Sequence, residues 1–436
     1  MNCTVLDETT TEQQCIDFFN NEMLKLLRFS VCADFQKICV AVSGGADSMC
    51  LLWLLHRWCV ANHKELHCVT VDHKLRKESR EEADFVHDFC KSLNVSHVIL
   101  DWNHCEICDH GKLENLARKA RYKLISEYCF KNEINYVCVA HNWDDQLETY
   151  KLREQYQSTA IGLACMSQVR TIHENLVLLR PVLYFTKNCL QFLLTTHCIN
   201  WKNDSMNDDD TYQRVKFRKL LKNATIKEKE QLKSNITLFR NQRNIVEKQA
   251  VNFLKNHISF SQYGYAKILY DAFLKFNKDV QNEVLRRVIW CIGGKEYLPT
   301  ISDYFIKNIF DKKTQTLWNC VIKHKKQYIM FFRENRNIPK IQWSNVDTKN
   351  DYLIFDNRFK IDLKLVDVLM KNHQHNDDEE NRNTNFLFTI NDVSLIDDLP
   401  YEVVQTLPQI ATDSGNFILC SGIAFVKKVN LFDIFL

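Results

Sequence analysis

The stretch "KICVAVSGGADSMCLL" (37–52) decides how the chain is read. Only nine glycines occur in 436 residues, and two of them stand side by side here. They follow an apolar run and are followed by Asp47-Ser48 and then by apolar residues at helical spacing. Strand, tight turn, helix is the local reading. Glycines at such a turn reach backbone conformations closed to other residues and let the main chain approach a ligand closely. The free N–H groups of the helix's first turn then face an anion, with the helix dipole in support. Ser43 and Ser48 add hydroxyls, and Asp47 offers a carboxylate for a metal ion that bridges phosphates. No Gly-Lys-Ser/Thr follows, so this is not a Walker A loop, and it is not Gly-x-Gly-x-x-Gly. A plain strand-to-helix turn is the bland alternative.

Working outward, short apolar runs recur at "ICVAV" (38–42), "LHCVTV" (66–71), "SHVIL" (96–100) and "NYVCVA" (135–140). Helical stretches separate them, at about 47–63, 78–94 and 113–132. This alternation predicts βαβ units on a parallel sheet covered on both faces. Right-handed crossovers place the strand-to-helix loops at one sheet edge, where ligands bind in such folds. Residues 216–256 read as long, basic helix, and helical spacing continues through 265–290. From about 315 the runs shorten into strands, so the expected domains are 1–215, 216–335 and 336–436. The predicted class is α/β, with a parallel-sheet N-terminal domain, a helical domain and a small α+β C-terminal domain.

Composition narrows the classes. An apolar fraction of 45% and a charged fraction of 25% suit a soluble globular chain with a sizeable core. The net charge of +3 names no partner, but residues 214–248 hold 11 Lys/Arg against 3 Asp/Glu. Such a stripe can track a phosphate backbone, or be a solvated helix face. Eighteen cysteines in a chain of this length do not form a small disulfide scaffold, and many sit inside apolar runs as small hydrophobes. The N-terminus has no basic start and no apolar signal core, and no apolar run reaches the ~20 residues of a spanning helix. The chain reads as reduced and cytosolic, with no membrane partner.

The run S-G-G-x-D-S after an apolar strand resembles the PP-loop of the N-type ATP pyrophosphatases. Six further stretches narrow the resemblance: "VDHKLRKESREEA" after the second run, "LENLARKARY" (113–122), "AHNWDDQLET" (140–149), "IGLACM" (161–166), "LLRPVL" (178–183) and "NDSMNDDDTYQRVKFRKLL" (203–221). In that order they look like the tRNA(Ile)-lysidine synthetase family, over about residues 37–221. The resemblance implies ATP and Mg²⁺, an isoleucine tRNA with a CAU anticodon, and free L-lysine as co-substrate; a homodimer is compatible with it. Lysine would be joined to carbon 2 of the wobble cytidine after ATP adenylates that base.

On this reading Ser43, Gly44, Gly45, Ala46, Asp47 and Ser48 bind the nucleotide, and Asp47 with Asp144 or Asp145 holds the metal. Arg118 and Arg121 lie three apart and share a helix face toward phosphates. His141 contacts phosphates or departing AMP. Glu148 orients or deprotonates the lysine amine, whose pKa of about 10.4 requires loss of a proton before attack. Arg214, Lys216, Arg218 and Lys219 contact tRNA. Each cluster also has a plain reading. Asp144, Asp145 and Glu148 suit an acidic first helical turn, the arginines a surface pair, and Asp72-His73 a strand-end turn.

Two departures stand out. The family's Arg-Gly-Ser-Gly stretch is "YQST" (156–159) here, without the arginine or either glycine. The family's Asp-Pro is Asp204-Ser205. In addition, Cys105 and Cys108 form C-x-x-C flanked by His104 and His110, a spacing that suits zinc or an iron–sulfur cluster and resembles the related tRNA cytidine thiolases. No second C-x-x-C accompanies it. A thiolase and a catalytically inactive nucleotide- or RNA-binding relative therefore stand as alternatives.

Overall fold

The computed structural model describes residues 4–28, 35–74, 78–102, 110–173, 176–202, 213–261, 263–295, 298–339, 341–342 and 352–364, with short stretches between 403 and 425. The C-x-x-C pair and residues 203–212 lie outside these. The chain divides into two compact units, residues 1–244 and 245–434.

In the first unit the elements run α1 (Glu12–Arg28), β1 (Lys37–Ala41), α2 (Ala46–Ala61), β2 (Glu65–Asp72), α3 (Glu78–Ser92), β3 (Ser96–Asp101), α4 (His110–Lys131), β4 (Tyr136–Cys138), α5 (Trp143–Gln155), α6 (Ala160–Leu163), β5 (Val169–His173), β6 (Leu176–Leu179), α7 (Lys187–Thr196) and α8 (Gln213–Lys222). Helix α9 (Ile226–His257) follows. Six strands form one sheet in the order β3-β2-β1-β4-β6-β5. All neighbours are parallel except the edge strand β5, which turns back antiparallel on β6.

Period-two alternation splits the strands between two cores. Ile38, Val40, Leu66, Cys68, Tyr136, Cys138 and Leu179 pack with buried residues of α1, α2, α3 and α7. Cys39, Val69, Val137 and Leu178 face the other way, onto Ile125 and Cys129 of α4. Burial on both faces is why these strands read as unbroken apolar runs. All thirteen described cysteines are free, and only Cys198 is exposed. Cysteine does the work of a small apolar residue here.

Strand order matters more for function. From β1 the chain steps outward to β2 and β3, then returns to place β4 on the other side of β1. The loops after β1 and β4 therefore leave adjacent strand ends in opposite directions. A crevice at such a reversal is where open α/β sheets receive ligands.

The second unit contains β7 (Ile258–Phe260), β8 (Ala266–Leu269), α10 (Tyr270–Leu274), α11 (Lys278–Gly293), α12 (Asp303–Phe310), β9 (Gln315–Leu317), β10 (Cys320–Lys325) and β11 (Tyr328–Arg333). Its main sheet is antiparallel, in the order β7-β8-β11-β10-β9. Here the sequence reading was too helical. Residues 266–269 are a strand, because Ala266 and Ile268 alternate into the core and pair with Phe331 and Ile329 of β11. Four residues are too few to declare their period against helical flanks.

The end of α5 explains the divergent 156–159 stretch. Gln157 takes a left-handed φ of 49°. Its N–H donates to the Glu154 carbonyl at 3.0 Å, and the Ser158 N–H donates to the Arg153 carbonyl at 2.9 Å. This is a helix stop that ordinarily uses glycine. Glutamine thus holds a left-handed conformation that glycine takes without strain, at a cost of roughly 1 kcal/mol. Thr159, at the second glycine position, instead caps α6 by accepting the Gly162 N–H. Gln157→Gly should raise stability by a few tenths to about 1 kcal/mol, after the unfolded-state entropy of glycine is subtracted. Thermal unfolding of the two proteins measures it, and Gln157→Val should move the other way.

Candidate active site

The turn after β1 matches its sequence signature. Gly44 has φ +83°, a conformation that a side chain resists. The turn is closed internally: the Ser43 N–H donates to Ser48 Oγ at 3.2 Å, and the Ser48 hydroxyl donates to the Gly45 carbonyl at 2.9 Å. It is also tied from outside, the Lys202 N–H donating to the Gly44 carbonyl at 2.9 Å. Gly45 is the N-cap of α2 and has no side chain to cap the first turn. Those amides are left to an outside acceptor, which is the arrangement an anion needs.

Across the crevice, α5 opens after β4 with a reciprocal cap. Asn142 Oδ1 accepts the Asp145 N–H at 3.1 Å, and Asp145 Oδ2 accepts the Asn142 N–H at 3.0 Å. Asp144 Oδ2 accepts the Lys187 N–H at 2.7 Å, so the N-terminus of α7 meets that of α5. Asp47, in the first turn of α2, faces both. Burial pushes its carboxyl up to about 6, and Asp145 and Asp144 push the same way, against Lys187 and a hydrogen bond from Asn142. Its Oδ1 is buried and finds no hydrogen-bond partner among the described residues. An orphaned carboxylate oxygen beside two further carboxylates fits a divalent cation. Asp47 is the group most available to hold magnesium. Asp144 and Asp145 each spend an oxygen on helix capping, and no cluster of three or more His, Cys, Asp or Glu set to hold a metal occurs among the described residues.

The remaining candidates reach the same edge by different routes. His141 Nδ1 accepts from Arg180 Nε at 3.2 Å. Because a guanidinium only donates, the ring's proton sits on Nε2. Arg180 is 3% exposed and is held by the Ser167 carbonyl at 2.6 Å. Burial lowers its pKa to about 10. Arg121 donates from Nε and Nη2 to His73 Nε2 at 3.3 and 3.2 Å, which ties α4 to the loop after β2. Arg118 lies over the Tyr122 ring, 5.1 Å from its centroid. Gln146, fully buried, clamps both polar backbone groups of Met166 at 3.0 and 2.8 Å, fixing the 161–166 segment.

Residues 8–225, half of the chain, match the PP-loop domain family. The tRNA(Ile)-lysidine synthase of Wolbachia pipientis wMel is 32% identical over 74% of this chain and 76% of its own. That of Orientia tsutsugamushi (strain Boryong) is 29% identical over 80% and 82%, and that of Rickettsia akari (strain Hartford) 31% over 75% of each. This chain belongs to the tRNA(Ile)-lysidine synthase family.

Set beside the family's motifs, the structure joins two residues that sequence reasoning gave separate tasks. Glu148 Oε1 pairs with Arg218 Nε at 2.5 Å, with the Glu148 side chain 5% exposed. The bridge pins α8 to α5. Lys216 and Lys219 are exposed on α8, and the side chain of Arg214 lies outside the described residues. Sequence reasoning gave no role to Asn142, Gln146, Arg180 or Lys187. Arg180 had one signal, a lone charge inside "LLRPVL". Lys187 had another: it opens a helix, where the dipole disfavours a cation.

The raised Asp47 pKa has a consequence for stability. Its folded-state value lies above the ordinary 3.8, so between the two the native protein binds the proton more tightly than the unfolded chain. Stability contributed by this group is present below about pH 4 and is lost as pH rises through about 6. Asp47→Asn should therefore stabilise the nucleotide-free protein at about pH 7.5, by on the order of 1–3 kcal/mol, and by almost nothing at about pH 4. Thermal unfolding at the two pH values reads it out, while the same substitution should abolish turnover.

Proposed function

We propose that this protein ligates the ε-amine of free L-lysine to carbon 2 of the wobble cytidine in isoleucine tRNA with a CAU anticodon. The observation that carries the reading is the uncapped start of α2 beside the orphaned Asp47 oxygen, at the point where strand order reverses. In the first step the cytidine O2 attacks the α-phosphorus of ATP, and pyrophosphate leaves with the electron pair of the broken P–O bond. In the second, lysine Nζ attacks carbon 2. AMP departs with the electrons of the C2–O bond, and the amine loses its proton to give lysidine.

Such chemistry asks the protein for position and charge compensation more than for covalent help. The free amides of the Gly44–Ser48 turn hold phosphates. Magnesium bound at Asp47 would supply charge neutralisation as pyrophosphate leaves. His141 presents its Nε2–H to a phosphate oxygen or to departing AMP, with Arg180 fixing the tautomer. Arg118 and Arg121 add positive charge from α4. The exposed lysines of α8, with Arg214 and Arg218, take tRNA phosphates. Glu148 orients the lysine amine. Since it is paired with Arg218, the incoming ammonium takes over a carboxylate oxygen that Arg218 now holds.

AMP release should require both free lysine and isoleucine tRNA; release with neither would exclude this reaction. A Cys105-bound cluster and sulfur incorporation would point instead to the thiolase. For Glu148, the discriminating measurement is step by step. Glu148→Gln should slow lysine transfer at least about tenfold more than tRNA-dependent adenylation. Equal loss in both would remove its role as the lysine-orienting group.

A further inference from the structure

Resting on that reading of the site, we infer that Lys187 is a phosphate-binding residue of the ATP site, its ammonium reaching the triphosphate gripped by the α2 amides. Three helix N-termini converge there, those of α2, α5 and α7. Thr186 caps α7, its hydroxyl accepting the Cys189 N–H at 3.2 Å. Lys187 is the first helical residue and is exposed.

A lysine at that position works against the helix dipole by about 0.3–1 kcal/mol. The first turn of α7 carries no acidic residue, as in α4, α6 and α8. Lys187 stands beside the concentration of negative charge formed by Asp47, Asp144 and Asp145, and its charge is felt at Asp47. Among the described residues Lys187 nevertheless makes no salt bridge. A lysine whose task was to neutralise those carboxylates would close onto one of them. This one stays open to the crevice.

Its backbone, by contrast, is rigidly placed. The Lys187 N–H is fixed on Asp144, and the Thr186 N–H donates to the Leu6 carbonyl at 2.8 Å. Cys189, Leu190, Leu193 and Leu194 bury the other side of α7 in the core shared with α2. The long side chain therefore starts from a fixed point at the same end of the sheet as the Gly44 turn. A triphosphate lying on the α2 amides brings the counter-charge that both the dipole and the unpaired ammonium lack. A compact ammonium also suits phosphate oxygens in several orientations as the leaving group moves.

Equilibrium binding of ATP with Mg²⁺, steady-state AMP formation and thermal unfolding, measured on the full chain, test this with Lys187→Gln and Lys187→Arg. Lys187→Gln should weaken ATP binding and raise KM for ATP by roughly tenfold to a hundredfold, the range for a hydrogen bond to a charged group. KM for lysine should stay within about twofold, and the melting temperature within about 2 °C, as for an exposed side chain. Lys187→Arg should recover most of the ATP affinity. Wild-type ATP binding and KM in Lys187→Gln would overturn the assignment while leaving the ligase reading intact, as would a loss matched by a fall in melting temperature that Lys187→Arg fails to restore. Failure of the wild-type protein itself to bind ATP would instead overturn both.

Discussion

Asp47 holds its carboxylate in a place where the negative charge is poorly tolerated, and much of the first unit exists to keep it there. One oxygen is buried without a partner, and Asp144 and Asp145 raise the local potential further. The position follows from three independent choices of the chain. Strand order reverses between β1 and β4. Gly44 turns the main chain sharply enough to begin α2 at the sheet edge. The α2 helix is then anchored by near-complete burial, from Met49 through Leu55. A bound cation would reverse the sign of the problem, turning a liability into binding energy for the nucleotide.

The same logic separates the two neighbouring aspartates from Asp47. Each is spoken for by a backbone amide, Asp145 at the start of its own helix and Asp144 at the start of α7. They are structural and electrostatic at once. Their hydrogen bonds cap α5 and join its N-terminus to that of α7, and their charge contributes to the field at Asp47. An acidic first turn and a contribution to a cation site do not exclude one another, since these hydrogen bonds occupy one oxygen of each carboxylate.

How much of this was legible beforehand depended on whether a residue belonged to a pattern. Strands β1, β2 and β4 announced themselves because burial on both faces keeps them mostly apolar, and edge strand β3 by its apolar run "VIL". The β5–β6 hairpin did not, since "VRTIH" alternates too briefly and its strand character comes from pairing with β6. The short strand β8 was lost in the same way. In the site, Ser43 to Ser48 and residues 141 to 148 were visible as clusters after apolar runs. Arg180 and Lys187 are single residues, and their meaning lies in what stands opposite them in space. Arg180 left a trace as a lone charge in an apolar run, and Lys187 as a breach of a local helix rule; such breaches concentrate where function overrides propensity. Gln157 is the mirror image. There the sequence suggested a lost glycine, yet the backbone keeps the left-handed conformation without it. The altered stretch is thus a helix stop that glutamine forms in a left-handed conformation.

The Glu148–Arg218 bridge ties these strands of argument together. A carboxylate that is almost fully buried would be costly unless paired, and Arg218 supplies the pairing from α8. Yet Arg218 is itself partly exposed and stands in a helix whose Lys216 and Lys219 are exposed. On the proposed reading one cation would serve both a buried acid and a tRNA phosphate approaching α8. A nucleic-acid phosphate and a lysine ammonium would act on this pair in complementary ways, the first drawing Arg218 outward and the second replacing it at Glu148. A buried charge can exchange partners at low cost only when the second partner arrives as the first departs, because the intermediate state leaves an unpaired carboxylate in a low-dielectric site. On the proposed reaction, the bridge would link amine entry to tRNA engagement through electrostatics.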